Sequence, residues 1–202
     1  PCKDNSQIKQ CLTGIVLKNN LKKMNCNLVL HPSQYRLTLV NTPNVPQIEY
    51  KNAIRWQIKD IINYPLEDAA VEVFYSDDLQ KRPKKIYAIA AQRSFLQNTV
   101  NTIQECQLKP IAIDIHEFSI RNLITNLAPE NGPIGFLDID NTSCLLVIIQ
   151  QNCIRFVRQI PVGLKQLKAN NYSILTSELQ RSFKYCSTEL KQEIPIKFFM
   201  PP

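Results

Sequence analysis

Apolar positions along the chain follow two rhythms, strict alternation and a three-to-four residue step, and the two replace one another repeatedly. "NLVLH" (27–31) and "YRLTLVN" (35–41) read as strands joined by a His-Pro-Ser-Gln turn. "NTPNVP" (41–46) breaks the pattern with two prolines. A helix is expected from about Gln47 to Asn63, because Ile54, Ile58, Ile61 and Ile62 fall at i, i+4, i+7 and i+8, with Tyr50 on the same side. Pro65 stops it.

Beyond Pro65 the rhythms predict strands over 69–76, 86–91 and 109–115 and helices over 94–108 and 116–128. "PENGP" (129–133) marks a boundary. Three strands follow, 134–139, 143–150 and 153–160, with gaps short enough for hairpins. A helix over 173–190 carries the stripe Leu175, Leu179, Phe183, Cys186 and Leu190, and a strand over 194–199 closes the pattern. Residues 1–25 are polar and poorly patterned, apart from an apolar patch from Leu12 to Leu17. This order gives an α/β or α+β chain with two subdomains split near residue 130. A buried-looking strand ending in Pro201-Pro202 suggests a piece of a longer chain.

Trp56 falls outside the pattern. At 100° per residue it lies about 160° from the middle of the apolar face of its helix, among Glu49, Asn52, Lys59 and Asp60. Either a second layer of the same chain covers it, or it is an exposed anchor for a partner.

Composition narrows the function classes. Hydrophobic content of 44% is ordinary for a globular protein. No apolar run approaches the length of a membrane span, and no secretory signal opens the sequence. Seven cysteines, an odd number without a C-x-x-C pair, suit buried thiols in a reducing compartment. Two histidines without ligand-spaced neighbours argue against zinc, so no metal is expected. The net charge of +7 is partly gathered in Lys81, Arg82, Lys84 and Lys85 and near Lys18, Lys22 and Lys23. These clusters read as solvated loops, as a surface for anionic membrane or an acidic partner, or as a nucleic-acid contact. The last is disfavoured because aromatics are not interleaved with them.

The stretch "GFLDIDNTSCLLVIIQ" (135–150) offers the one catalytic-looking motif. Asp138 and Asp140 after a buried strand form D-x-D-x-T, the nucleophile loop of an aspartyl-phosphate phosphatase. That mechanism needs further carboxylates downstream to hold Mg²⁺, and after Asp140 only Glu178, Glu189 and Glu193 remain. The next strand also starts at once, where a phosphatase loop leads away from the sheet. A plain strand turn is the simpler reading.

From "AIRWQIKDIINYPLEDAAVEVF" (53–74) the chain resembles the MshI/PilM family of type IV pilus biogenesis. The segments "VLHPSQYRLTLVNTPNVP", "IYAIAAQRSFLQNTVNTIQECQLKPIAIDIHEFSIRNL", "FLDIDNTSCLLVIIQQNCIRFVRQIPVGLKQL" and "ELQRSFKYC" extend the resemblance in order over about 27–199. It implies an α/β, actin-like (ribonuclease H-like, FtsA/PilM-type) core fragment. Residues 1–26 would be a polar N-terminal segment, 27–128 an inserted small α+β subdomain, and 133–202 part of the core. It also implies a cytoplasmic scaffold at the inner membrane of a bacterium, similar to the cytoplasmic domain of GspL. Its partners would be a PilN-like platform subunit and the assembly ATPase, and a homodimer is a further expectation.

Actin-like ATPases hold phosphate with glycine-bearing hairpins. Here Asp140 replaces the glycine, and Asp138, Asp140, Asn141 and Thr142 form a degenerate phosphate hairpin. The expectation is therefore no catalysis and no nucleotide cofactor. Arg55, Trp56, Lys59 and Asp60, then Lys81, Arg82, Lys84 and Lys85, are the candidate partner surfaces. Two readings stand as alternatives: an actin-like ATPase with its remaining motifs outside this sequence, and a basic nucleic-acid-binding domain.

Overall fold

A computed structural model describes residues 5–75, 85–127, 132–168 and 172–201. Lys81, Arg82 and Lys84 lie outside the described residues, while Lys85 is exposed at the start of a strand. Contacts divide the chain into two units. The first holds α1 (Asn5–Lys18), β1 (Asn25–Leu30), β2 (Tyr35–Asn41), α2 (Tyr50–Gln57), β3 (Ala69–Phe74), β4 (Lys85–Gln92), α3 (Arg93–Glu105) and β5 (Lys109–Ile115). The second holds α4 (His116–Leu127) from Glu117 onward, β6 (Ile134–Ile139), β7 (Cys144–Gln150), β8 (Cys153–Ile160), α5 (Leu164–Lys168), α6 (Tyr172–Thr188) and β9 (Lys197–Phe199).

In the first unit β4 is the middle strand of an antiparallel sheet, order β2-β4-β3. Its sequence "KIYAIAAQ" is almost unbroken in apolar character because Ile86, Tyr87, Ala88, Ala90 and Ala91 are all buried. Phe74 of β3 stacks on Tyr87 with ring centroids 4.9 Å apart. α2 buries Tyr50 and Ile54, and Ile58 is buried just past its end. A second, two-stranded parallel sheet pairs β1 with β5. α1 joins this region through buried Val16, a Thr13 hydroxyl bond to the Cys106 sulfur at 3.4 Å, and a Lys9–Glu105 ion pair at 2.7 Å.

Four sequence expectations change here. First, β1 and β2 are joined by the expected turn but do not pair with each other. The short 3-10 turn Pro32–Gln34 is closed by a capping box from His31, and it passes the chain from one sheet to the other. Second, the N-terminal segment is a helix rather than featureless; few of its residues are buried, so its apolar stripe is faint. Third, α2 ends at Gln57. Residues 58–61 form a turn closed by Ile61 N–H donating to the Ile58 carbonyl at 2.9 Å, which leaves Ile61 exposed instead of in the core. Fourth, the units divide at the start of α4, not near residue 130, so the first unit gains α1 and gives α4 to the second.

The second unit is built on a four-stranded sheet, order β8-β7-β6-β9, antiparallel except for the β6–β9 pair. Leu146 and Ile148 of β7, Phe156 and Ile160 of β8, and Cys186 of α6 form its core. Leu175, Leu179, Phe183 and Leu190 of the predicted stripe pack against it. A polar clamp fixes α6 to β8: Arg158 donates to the Glu178 carboxylate at 2.6 Å and to the Ser182 hydroxyl at 3.0 Å. Arg181 donates to the other Glu178 oxygen at 2.8 Å.

Candidate functional site

Asp138, Asp140, Asn141 and Thr142, the residues expected to form a degenerate phosphate hairpin, sit at the β6–β7 turn. Asp138 pairs with Leu145 and Ile139 with Cys144, so the ladder runs up to the turn itself. The Asp140 N–H donates to the Ser143 carbonyl at 2.9 Å. The Asp140 carboxylate accepts from the Thr142 N–H at 2.7 Å and from the Thr142 hydroxyl at 3.4 Å. This is an Asx-type turn, in which a side-chain oxygen takes a backbone donor of the turn. In a phosphate-binding turn such a donor would face the anion. Here the chain's own carboxylate takes the Thr142 donor and brings a negative charge with it.

The start of α5 is seated on the same turn. The Leu164 N–H donates to the Asp140 carbonyl at 2.8 Å and the Lys165 N–H to the Asn141 carbonyl at 3.1 Å. Gly163 makes this seat possible, because a Cβ there would meet the backbone of Asp140, Thr142 and Ser143. Of the later carboxylates, Glu178 is held between two arginines in the α6 clamp. The D-x-D motif thus leads directly into β7, and the acids that a phosphatase would need are not gathered at it. Among the described residues no group of three or more His, Cys, Asp or Glu side chains is placed to hold a metal.

The second candidate surface lies on α2. Trp56 is 68% exposed, so the described residues do not cover it. Lys59 and Asp60 are exposed on the turn after the helix rather than on its face. Ile48 and Ile61 on the flanking turns are exposed as well, at 90% and 45%. Arg55 differs from the other three: it is half-buried and donates to the Ala69 carbonyl at 2.7 Å, tying α2 to the start of β3.

That tie belongs to a polar corner the sequence did not reveal. Asp68 accepts from the Ser94 N–H at 2.8 Å, the Ser94 hydroxyl at 2.6 Å and the Gln92 amide at 2.9 Å. It thereby caps α3, whose own N-cap residue Gln92 makes no capping bond. The Ser94 hydroxyl, then Gln92 and the Ser94 N–H, hold the Asp68 carboxyl below the usual carboxylate range. Arg93 also reaches the Ala69 carbonyl, at 3.5 Å. The Tyr64 hydroxyl is buried without a hydrogen-bond partner among the described residues, and burial pushes its pKa up. Asp68 and Ser94 are 26 positions apart, so local spacing holds no trace of their contact. Gly163 had one signal, its rarity as one of four glycines.

No protein-family model matches the chain, and no curated protein does. Solved structures do. A chain of a PilM–PilN type IV pilus biogenesis complex superposes with a TM-score of 0.72 at 18% identity, over 98% of this chain and 68% of that one. The cytoplasmic domain of EpsL, an inner-membrane component of the type II secretion system of Vibrio cholerae, superposes with a TM-score of 0.57 at 15% identity, over 96% and 68%. The fold is therefore the actin-like α/β core of the PilM type.

Proposed function

We propose that this chain is a non-catalytic scaffold of a type IV pilus platform or a related secretion machine. In this reading it works on the cytoplasmic side of a bacterial inner membrane and holds a PilN-like, membrane-anchored subunit. The PilM-type fold supports the class of machine. Among the described residues no helix is long and apolar enough to cross a membrane, so attachment through a partner is consistent with them. The α2 surface around Trp56, Lys59 and Asp60 is the proposed docking site. An exposed tryptophan among exposed isoleucines and single charges suits an interface anchor.

The observation that carries the non-catalytic part is the β6–β7 turn. Asp140 takes the Thr142 N–H, and α5 is seated on the turn's carbonyls. An ATP phosphate approaching this turn meets a carboxylate, and like charge in a concavity is unfavourable without an intervening cation. Titration calorimetry with Mg·ATP tests this: no heat of binding is expected at micromolar nucleotide. Micromolar affinity would return the chain to the actin-like ATPases.

A further inference from the structure

We propose that the corner where α2, β3 and α3 meet binds a carboxylate of an acidic partner segment, through Arg36, Arg55 and Arg93. The inference rests on the scaffold reading and names the partner's chemistry. Arg55 and Arg93 both donate to the single carbonyl oxygen of Ala69, at 2.7 and 3.5 Å. Two guanidinium groups drawn to one neutral oxygen repel each other, and neither forms a salt bridge among the described residues. The adjacent Asp68 is hydrogen-bonded to Ser94 and Gln92, and Arg93 acts on it only through longer-range attraction.

Arg36 adds a third positive charge. It projects from β2 opposite Ala90 of β4, and Ala90 in turn pairs with Val71, two residues from Ala69 on the same face of the sheet. Arg36 is exposed and makes no ion pair among the described residues. Both Arg36 and Asp68 act electrostatically on the Tyr64 hydroxyl, which places the groups in one neighbourhood. The corner thus carries three cations against the one carboxylate of Asp68; Glu67 beside it is exposed and unpaired with them. An arriving carboxylate can accept parallel N–H bonds from a guanidinium. A flexible acidic segment suits this corner better than a free anion, because Arg36 and Arg93 are exposed at the surface rather than lining an enclosed cavity.

The test measures fluorescence anisotropy of a short labelled oligoglutamate peptide against the whole chain. Oligoglutamine serves as the uncharged control. The Arg36→Gln/Arg93→Gln double variant touches exposed side chains and keeps the Arg55 tie, so circular dichroism should match the parent. Oligoglutamate should bind, oligoglutamine should not, and the double variant should lose about tenfold or more in affinity. Lys22→Gln/Lys23→Gln, with the same change in net charge, should lose less than about twofold. Three outcomes overturn the proposal: no binding, equal losses in the two double variants, or displacement of the peptide by equimolar inorganic phosphate. The probe contains no pilus subunit, so the result is separable from whether a PilN-like protein is the partner.

Discussion

A glycine where Asp140 stands would leave the Thr142 N–H open to an incoming anion; the aspartate closes it from within at 2.7 Å. A strand turn at this place was legible in the sequence, because the polar stretch from Asp140 to Ser143 falls between two apolar runs. The polar corner around Asp68 was not, since its partners are distant in sequence and the residues themselves are ordinary surface types. Of the six described thiols, Cys106, Cys144 and Cys186 are buried as the sequence suggests, while Cys26 and Cys153 are only partly so. Cys144 and Cys186 are fully enclosed, and burial pushes both up to about 11 from the ordinary thiol value of 9.0. Cys11, by contrast, is exposed. Iodoacetamide at pH 8 should therefore modify Cys11 in the folded chain and leave Cys144 and Cys186 until denaturant is added, as peptide mass mapping would read. The sign of the linkage follows from the raised values. The unfolded chain releases these two protons from about pH 9, the folded chain only from about pH 11. Stability is thus whole below pH 9 and falls between about pH 9 and 11.

Elements with a strong period were readable, and those whose ends are set by tertiary contacts were not. β4, β6, β7 and β8 lie where alternation or unbroken apolar runs put them, and α6 carries its predicted stripe into the core. α1 was hidden because little of it besides Val16 is buried. The His-Pro-Ser-Gln turn joins β1 to β2 as expected, but its capped 3-10 form carries β2 into a different sheet, which no local pattern announces. α2 is shorter than its rhythm predicts because Ile61 and Ile62 continue the apolar period into a turn. α5, at five residues, is too short to show a period, and its position depends on one residue. Gly163 lets its first turn sit on the backbone of Asp140, Thr142 and Ser143. Backbone cannot yield as a side chain can, so Gly163→Ala should destabilise the chain by about 1–3 kcal/mol. Urea denaturation would read this as a lower midpoint with an unchanged slope.

At the scale of the molecule, contacts divide the chain at the start of α4 rather than near residue 130. The PilM-type fold accounts for strands, helices and the hairpin turn together, at only 18% identity. Low identity with a retained core is what tolerance of volume-conserving exchange would produce. On this account the nucleotide-site shape persists as a structural turn, and the working surface is the one that α2 presents.

The most direct test is calorimetric binding of this chain to a PilN-like platform subunit, without nucleotide and then with Mg·ATP, for the parent and Trp56→Ala. The account predicts a complex whose affinity is the same with and without Mg·ATP. Trp56→Ala should weaken it by about tenfold or more, as loss of an interface anchor does, while leaving stability within about 0.5 kcal/mol, as an exposed substitution does. A complex that forms only with Mg·ATP, or one indifferent to Trp56→Ala, would contradict it.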